Sequence, residues 1–266
     1  MMKETLKVKS SLVGLLAAVT LVACGSSTAT IEDVRSSFVE AGGKCTSETP
    51  NTTTTVESPE EEKEFVWRSV QFLDCGDKES SISTYKSPEE AKRATYLMDA
   101  FKAAFMISTG SEVYATRSIF TGNAVVSLEV DSYSDSEASG IADKMGADLY
   151  LGSDTNSRRK MFDEVLKETE NGGLTLAANG CLADKLLSVD GKSASFDTKG
   201  EEDSEGDLLA SAYCMLRALL APDYIFDSMA KTRALDGLME ESWSDFRVNW
   251  RYHPNTGVQL TIIHKM

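Results

Sequence analysis

Four of the five cysteines, Cys45, Cys75, Cys181 and Cys214, fall two in each half of a 266-residue chain. Nothing else in the sequence limits the fold as much. No C-x-x-C spacing occurs and the only histidines are His253 and His264, so the residues for a structural zinc site are lacking. In an exported chain an even number of cysteines reads as a disulfide framework, and four of them allow three connectivities. Their positions favour local pairs, Cys45–Cys75 and Cys181–Cys214, one staple in each half. Each pair closes a loop of about 30 residues, a constraint of roughly 3–4 kcal/mol in the chain-entropy account.

The first residues bear on export. Lys3, Lys7 and Lys9 make a positive start, and a mostly apolar run from Leu12 to Ala23 ends at the fifth cysteine, Cys24. A run of about a dozen residues suits the apolar core of a secretory signal and is shorter than the roughly 20 needed to span a bilayer. The stretch Leu21-Val22-Ala23-Cys24 resembles the lipobox of bacterial lipoproteins. The resemblance covers only the first 27 residues or so. It implies that residues 1–23 are a signal peptide cleaved after Ala23 and that Cys24 is acylated on sulfur as the new N-terminus. Several acyl chains on one residue suffice for stable anchoring, each buried methylene contributing about 0.8 kcal/mol. The competing reading is an ordinary signal peptide followed by a free thiol.

The chain carries a net charge of −15, with 42 acidic against 27 basic residues. Nucleic-acid binding needs clustered Lys and Arg, so that class of partner is excluded. An acidic body would also be repelled by anionic lipid, leaving the lipid on Cys24 as the expected hold on the membrane. At 41% hydrophobic the composition is that of a globular chain.

Helical spacing of Ile31, Val34, Phe38 and Ala41 predicts a first helix over 31–41, with Thr30 as its cap. A Thr- and Glu-rich loop follows inside the Cys45–Cys75 ring, then strands over 65–73 and 81–85. "SPEEAKRATYLMDAFKAAF" is the strongest helix signal, with Ser87 as cap and Pro88 at the first position. A hairpin is expected over 113–119 and 124–130. The polar segment "DSYSDSEASG" marks a break, with a short helix over 137–147 after it. In the second half we expect a helix over 157–170, strands over 185–189 and 193–197, a helix over 207–220 and a short one from Pro222. A long hairpin closes the chain, its apolar face built from Phe246, Val248, Trp250 and Tyr252 opposite Val258, Leu260 and Ile262. The expected fold is α+β, with a tether over 24–30 and two domains, 31–150 and 151–266. Each domain is an antiparallel sheet with helices on one face, in the order helix, two strands, helix, two strands.

Candidate chemistry is sparse. Three S-x-x-K matches, at Ser83, Ser157 and Ser228, lack the S-D-N and K-T-G partners that β-lactamase-type chemistry requires. No G-x-S-x-G occurs. In "GEEDSEGD", Glu201, Asp203 and Glu205, with Asp207, offer oxygen ligands for Ca²⁺, the only cofactor the sequence suggests. Ala212 stands where an EF-hand loop would place its bidentate Glu. The plainer reading is a helix start capped by Ser204. Trp243, Trp250 and Tyr252 could stack on a sugar ring. Trp250 and Tyr252 share parity with the buried face, and Trp243, of opposite parity, is the candidate for exposure.

The run from Gly200 to Gly257 is similar to a group of secreted proteins and lipoproteins of actinobacteria. The shared elements are Gly200–Ser204, Cys214, Thr232–Gly237, Trp243 and Trp250–Pro254. The resemblance spans about 181–263; it implies an extracytoplasmic location and the second disulfide and carries no activity. The function expected is a non-catalytic binding or interaction module, lipid-anchored at the extracytoplasmic face of the cell membrane. Its partner would be an envelope protein or a glycan. The alternative is an envelope hydrolase that acts through carboxylates on glycans.

Overall fold

A computed structural model describes residues 28–46, 51–52, 69–76, 80–108 and 116–265. Cys24, the signal segment and parts of the expected strands over 65–73 and 113–119 lie outside the described residues.

The first half runs α1 (Ile31–Glu40), β1 (Asn51–Thr52), β2 (Gln71–Asp74), β3 (Ser80–Thr84), α2 (Pro88–Ser108), β4 (Arg117–Thr121), β5 (Ala124–Leu128), α3 (Asp135–Met145) and β6 (Asp148–Leu151). Its strands form one antiparallel sheet in the order β1-β2-β3-β5-β4-β6. Thr30 Oγ1 caps α1 by accepting the Asp33 N–H (3.2 Å), and Ser87 Oγ accepts the Glu90 N–H at the start of α2 (3.2 Å). α3 begins earlier than its apolar spacing suggests, because Ser134 and Glu137 close a capping box. Just before α1, the Ala29 N–H donates to Asn123 Oδ1 (3.0 Å). Asn123 also donates through Nδ2 to Tyr85 O (2.7 Å) and accepts the Tyr85 N–H on its carbonyl (2.8 Å). One buried asparagine thus joins the segment just before α1, the end of β3 and the tip of the β4–β5 hairpin.

The second half runs α4 (Thr155–Val165), α5 (Leu174–Gly180), β7 (Ser193–Asp197), α6 (Leu209–Ala218), α7 (Asp223–Lys231), β8 (Met239–Trp243), β9 (Phe246–His253) and β10 (Gly257–His264). Its sheet has the order β7-β10-β9-β8, also antiparallel. The α+β class, the antiparallel pairing and the two disulfides, Cys45–Cys75 and Cys181–Cys214, are as the sequence leads one to expect.

Details differ for local reasons. The strand expected over 185–189 is a short 3₁₀ turn at Asp184–Leu186 followed by a single bridge, Leu187 to Ala194. The helix expected to reach 170 stops at Val165. The backbone leaves helical geometry at Leu166 (φ −124°), and the positive φ of Asn171, Gly172 and Gly173 prevents its resumption.

β4 and β5 are apolar on both faces, Ile119 beside Phe120 and Val125 beside Val126, so helices cover both sides. Ile119, Val126, Ile82 and Leu73 meet α1 and α3 in a smaller core. Phe120 and Val125 face α2 in a larger one. That larger core does not stop at Leu151. It continues through α4, α5, α6 and α7 to Phe246, Val248, Trp250, Leu260 and Ile262 of the second sheet. α2 and α6 lie along each other at its centre, and Gly180 is held bare there because a Cβ would sit 2.6 Å from Leu97 Cδ1.

Candidate functional site

α2 covers only part of the first sheet, and beside it lies a groove of about 950 Å³. Its floor follows from strand register. Asp74 pairs with Ser81, Ser81 with Ser127, Ser127 with Ser118 and Ser118 with Tyr150, giving one polar row across five strands. The next row on this face is Phe72, Ser83, Val125 and Phe120. Among the described residues, Ser81, Ser118 and Ser127 make no side-chain hydrogen bond. The wall is the flank of α2, where Met98, Phe101, Lys102, Phe105 and Met106 line the groove. Ser81 and Ser127 are half-buried, so their hydroxyls reach solvent in the groove, while Ser118 is buried.

At the inner end stands Asp99 of α2, 5% exposed. Its Oδ1 accepts from Thr116 Oγ1 (2.6 Å) and its Oδ2 from the Tyr150 hydroxyl (2.9 Å). Gly152 makes room, since a Cβ there would fall 2.5 Å from Asp99 Oδ1. Burial, and then the charge of Asp99, hold the Tyr150 phenol well above its ordinary range. Behind this site a polar contact joins the halves and another braces α4 against α6. The Tyr96 hydroxyl donates to Ala218 O (2.7 Å) and Arg158 Nη2 to Arg217 O (3.1 Å). Burial, and then the neighbouring Arg158, pull the Arg217 guanidinium down.

Alkaline stability follows from these phenols. Burial pushes Tyr85 up to about 12 and raises Tyr96 as well. An unfolded chain releases phenolic protons from about pH 10, while the folded protein still holds them. Above that point the unfolded state binds fewer protons, so stability falls as pH rises. We expect full stability below about pH 10 and a steep loss between there and about 12. Denaturant midpoints at a series of pH values, with phenolate absorbance recorded alongside, measure this. A midpoint that stays constant through pH 11 would mean that these phenols titrate like solvent-exposed ones.

A second, shallower depression lies on the outer face of the second sheet, among Ser195, Asp197, Asn249, Arg251 and Thr261. Arg251 Nε donates to Gln259 Oε1 there (2.6 Å), so its cation is already engaged.

The residues singled out in the sequence lie elsewhere. Trp243 is buried, 8% exposed, with its Nε1 donating to Leu219 O (2.8 Å) and its ring against Phe246. The parity argument for its exposure fails because Trp243 closes β8, a separate strand. A two-residue turn sets it directly opposite Phe246, and paired residues share a face. Tyr252, expected inside, is 38% exposed, whereas Trp250 is buried as expected.

Ser204 does not cap α6, which starts at Leu209 with Leu208 before it and no side-chain cap. Instead the acidic loop interlocks with the β9–β10 turn. Glu201 N–H donates to Pro254 O (2.9 Å), Asn255 Nδ2 to Glu202 Oε1 (2.6 Å), and Asp203 Oδ2 accepts the Gly200 N–H (3.1 Å). A Cβ on Gly200 would strike the Asn255 backbone at 2.3 Å. Glu201, Asp203 and Glu205 do not converge, and among the described residues no group of three or more acidic, His or Cys side chains is arranged to hold a metal ion. His253 Nδ1 accepts the Asn255 N–H (3.2 Å) and His264 lies against Phe246.

The groove residues carried one signal that sequence reasoning passed over. Asp99 is the only acidic residue in α2 beyond its first turn, set among Tyr96, Leu97, Ala100, Ala103 and Ala104. An acid in the middle of an apolar helix face needs partners, and Thr116 and Tyr150 supply them.

Comparison with protein-family models, curated proteins and solved structures finds no match to this chain.

Proposed function

We propose that the protein is a lipoprotein held at the extracytoplasmic face of the cell membrane through Cys24, and that it binds a ligand in the groove beside α2 without transforming it. One observation carries the binding role: Asp74, Ser81 and Ser127 stand in register along the groove floor, and the buried Ser118 and Tyr150 continue that row inward. A preformed concave site with a few convergent polar groups and an apolar wall is the usual form of a ligand pocket. The alternative, a carboxylate hydrolase, has less support. Both oxygens of Asp99 already accept hydroxyl hydrogens, and Asp74, Glu129 and Asp131 at the rim are exposed. Two disulfides suit an oxidising compartment. Lipid on Cys24, which ends the apolar run from Leu12 to Ala23, is the attachment we propose.

Anchoring is tested by growing producing cells with a labelled fatty acid. The wild type should incorporate the label and sediment with membranes, and Cys24→Ala should do neither. Label retained by the variant would end the anchor assignment.

A further inference from the structure

The geometry points to a neutral carbohydrate as the ligand of this groove, an inference that rests on the groove being the binding site. The floor is the face of a sheet, so its backbone donors and acceptors are consumed by the ladders to either side. An extended peptide would find no backbone groups to pair with, and recognition falls to side-chain hydroxyls. Ser81, Ser127 and Ser118 sit on three adjacent strands, hence about 4.8 Å apart across the sheet. That interval is close to the length of one hexopyranose ring.

An acyl chain lying there would bury those hydroxyls without partners, which is unfavourable. Charge argues against an anion. Asp74, Asp99, Glu129 and Asp131 line the groove against Lys102 and Arg117, and Arg117 is already paired with Asp135 at 2.6 Å. A sugar meets each demand. Its ring hydroxyls pair with Ser81 and Ser127 and with the exposed carboxylate of Asp74, and its C–H face meets the apolar lining, Phe72 and Met98 among it.

The test uses the full-length protein in detergent micelles and isothermal titration calorimetry. The probes are neutral gluco-, galacto- and manno-oligosaccharides, oligogalacturonate, tri-lysine and myristate. We expect at least one neutral series to bind with Kd below about 1 mM and the uronate at least tenfold more weakly. Ser81→Val/Ser127→Val should weaken the neutral sugar at least tenfold with an unchanged melting temperature, whereas Ser81→Thr/Ser127→Thr, which keeps both hydroxyls, should retain it. Failure of every neutral series to bind overturns the carbohydrate assignment. Binding of myristate or tri-lysine in their place, sensitive to the valine substitutions, overturns it too but leaves the groove as the site. Sugar binding that ignores the valine substitutions removes the groove itself.

Discussion

Truncation before Val258 should abolish the cooperative unfolding transition. β10 is a central strand, with five residue pairs to β7 and eight to β9. Its loss leaves both neighbours with open edges and strips the cover from Trp250 and Val248. Leu260 and Ile262 are 2% and 0% exposed, and fully burying such a side chain contributes about 1.5–3 kcal/mol. Adding the lost ladders and the cavity beside Trp250, the deficit approaches the whole 5–15 kcal/mol of a typical folded chain. Because Leu260 and Ile262 belong to the same apolar cluster as α2, the damage extends beyond the second sheet. Far-UV circular dichroism should show a gradual slope in place of a sigmoidal melt. A sharp melt at the wild-type temperature would make β10 dispensable.

The second large effect concerns Cys181–Cys214. This bond ties the end of α5 to the middle of α6 across 33 residues, and both cysteines are 0% exposed. Replacing both with alanine frees the unfolded chain by roughly 3–4 kcal/mol in the chain-entropy account. Each kilocalorie lowers the melting point of a chain of this size by about 2–4 °C. The expected fall is thus on the order of 10 °C, read by calorimetry on the oxidised wild type and the double variant. A fall of only a degree or two would mean that the unfolded chain is held compact by other contacts.

What the sequence made legible was local. Ser87 and Pro88 announce α2, the alternation from Phe246 to Trp250 announces β9, and one cysteine pair per half announces the disulfides. β8 was hidden because Met239-Glu240-Glu241-Ser242-Trp243 places two acids side by side and alternates weakly. That one omission also misplaced Trp243, whose face depends on the turn at Ser244, a residue with φ of 41°. The groove was hidden for a different reason. In β3 and β5 the serines alternate with Ile82 and Val126, and such alternation ordinarily means a solvent face behind a core face. Only the path of α2 across the sheet turns that polar side into a floor. No periodicity within a strand records where a helix elsewhere in the chain will lie.

One helix serves two structures at once. The flank of α2 that bounds the groove is backed by the flank that lies against α6, with Tyr96 hydrogen-bonded to Ala218 and Leu97 seated over Gly180. The wall therefore cannot swing aside as the jaw of a clamshell does without tearing the core behind it. A ligand of the proposed site would enter a trough whose α2 wall is set during folding, not at each encounter. Exchange should then follow simple one-step kinetics, with an association rate limited by collision and orientation and no saturating opening step.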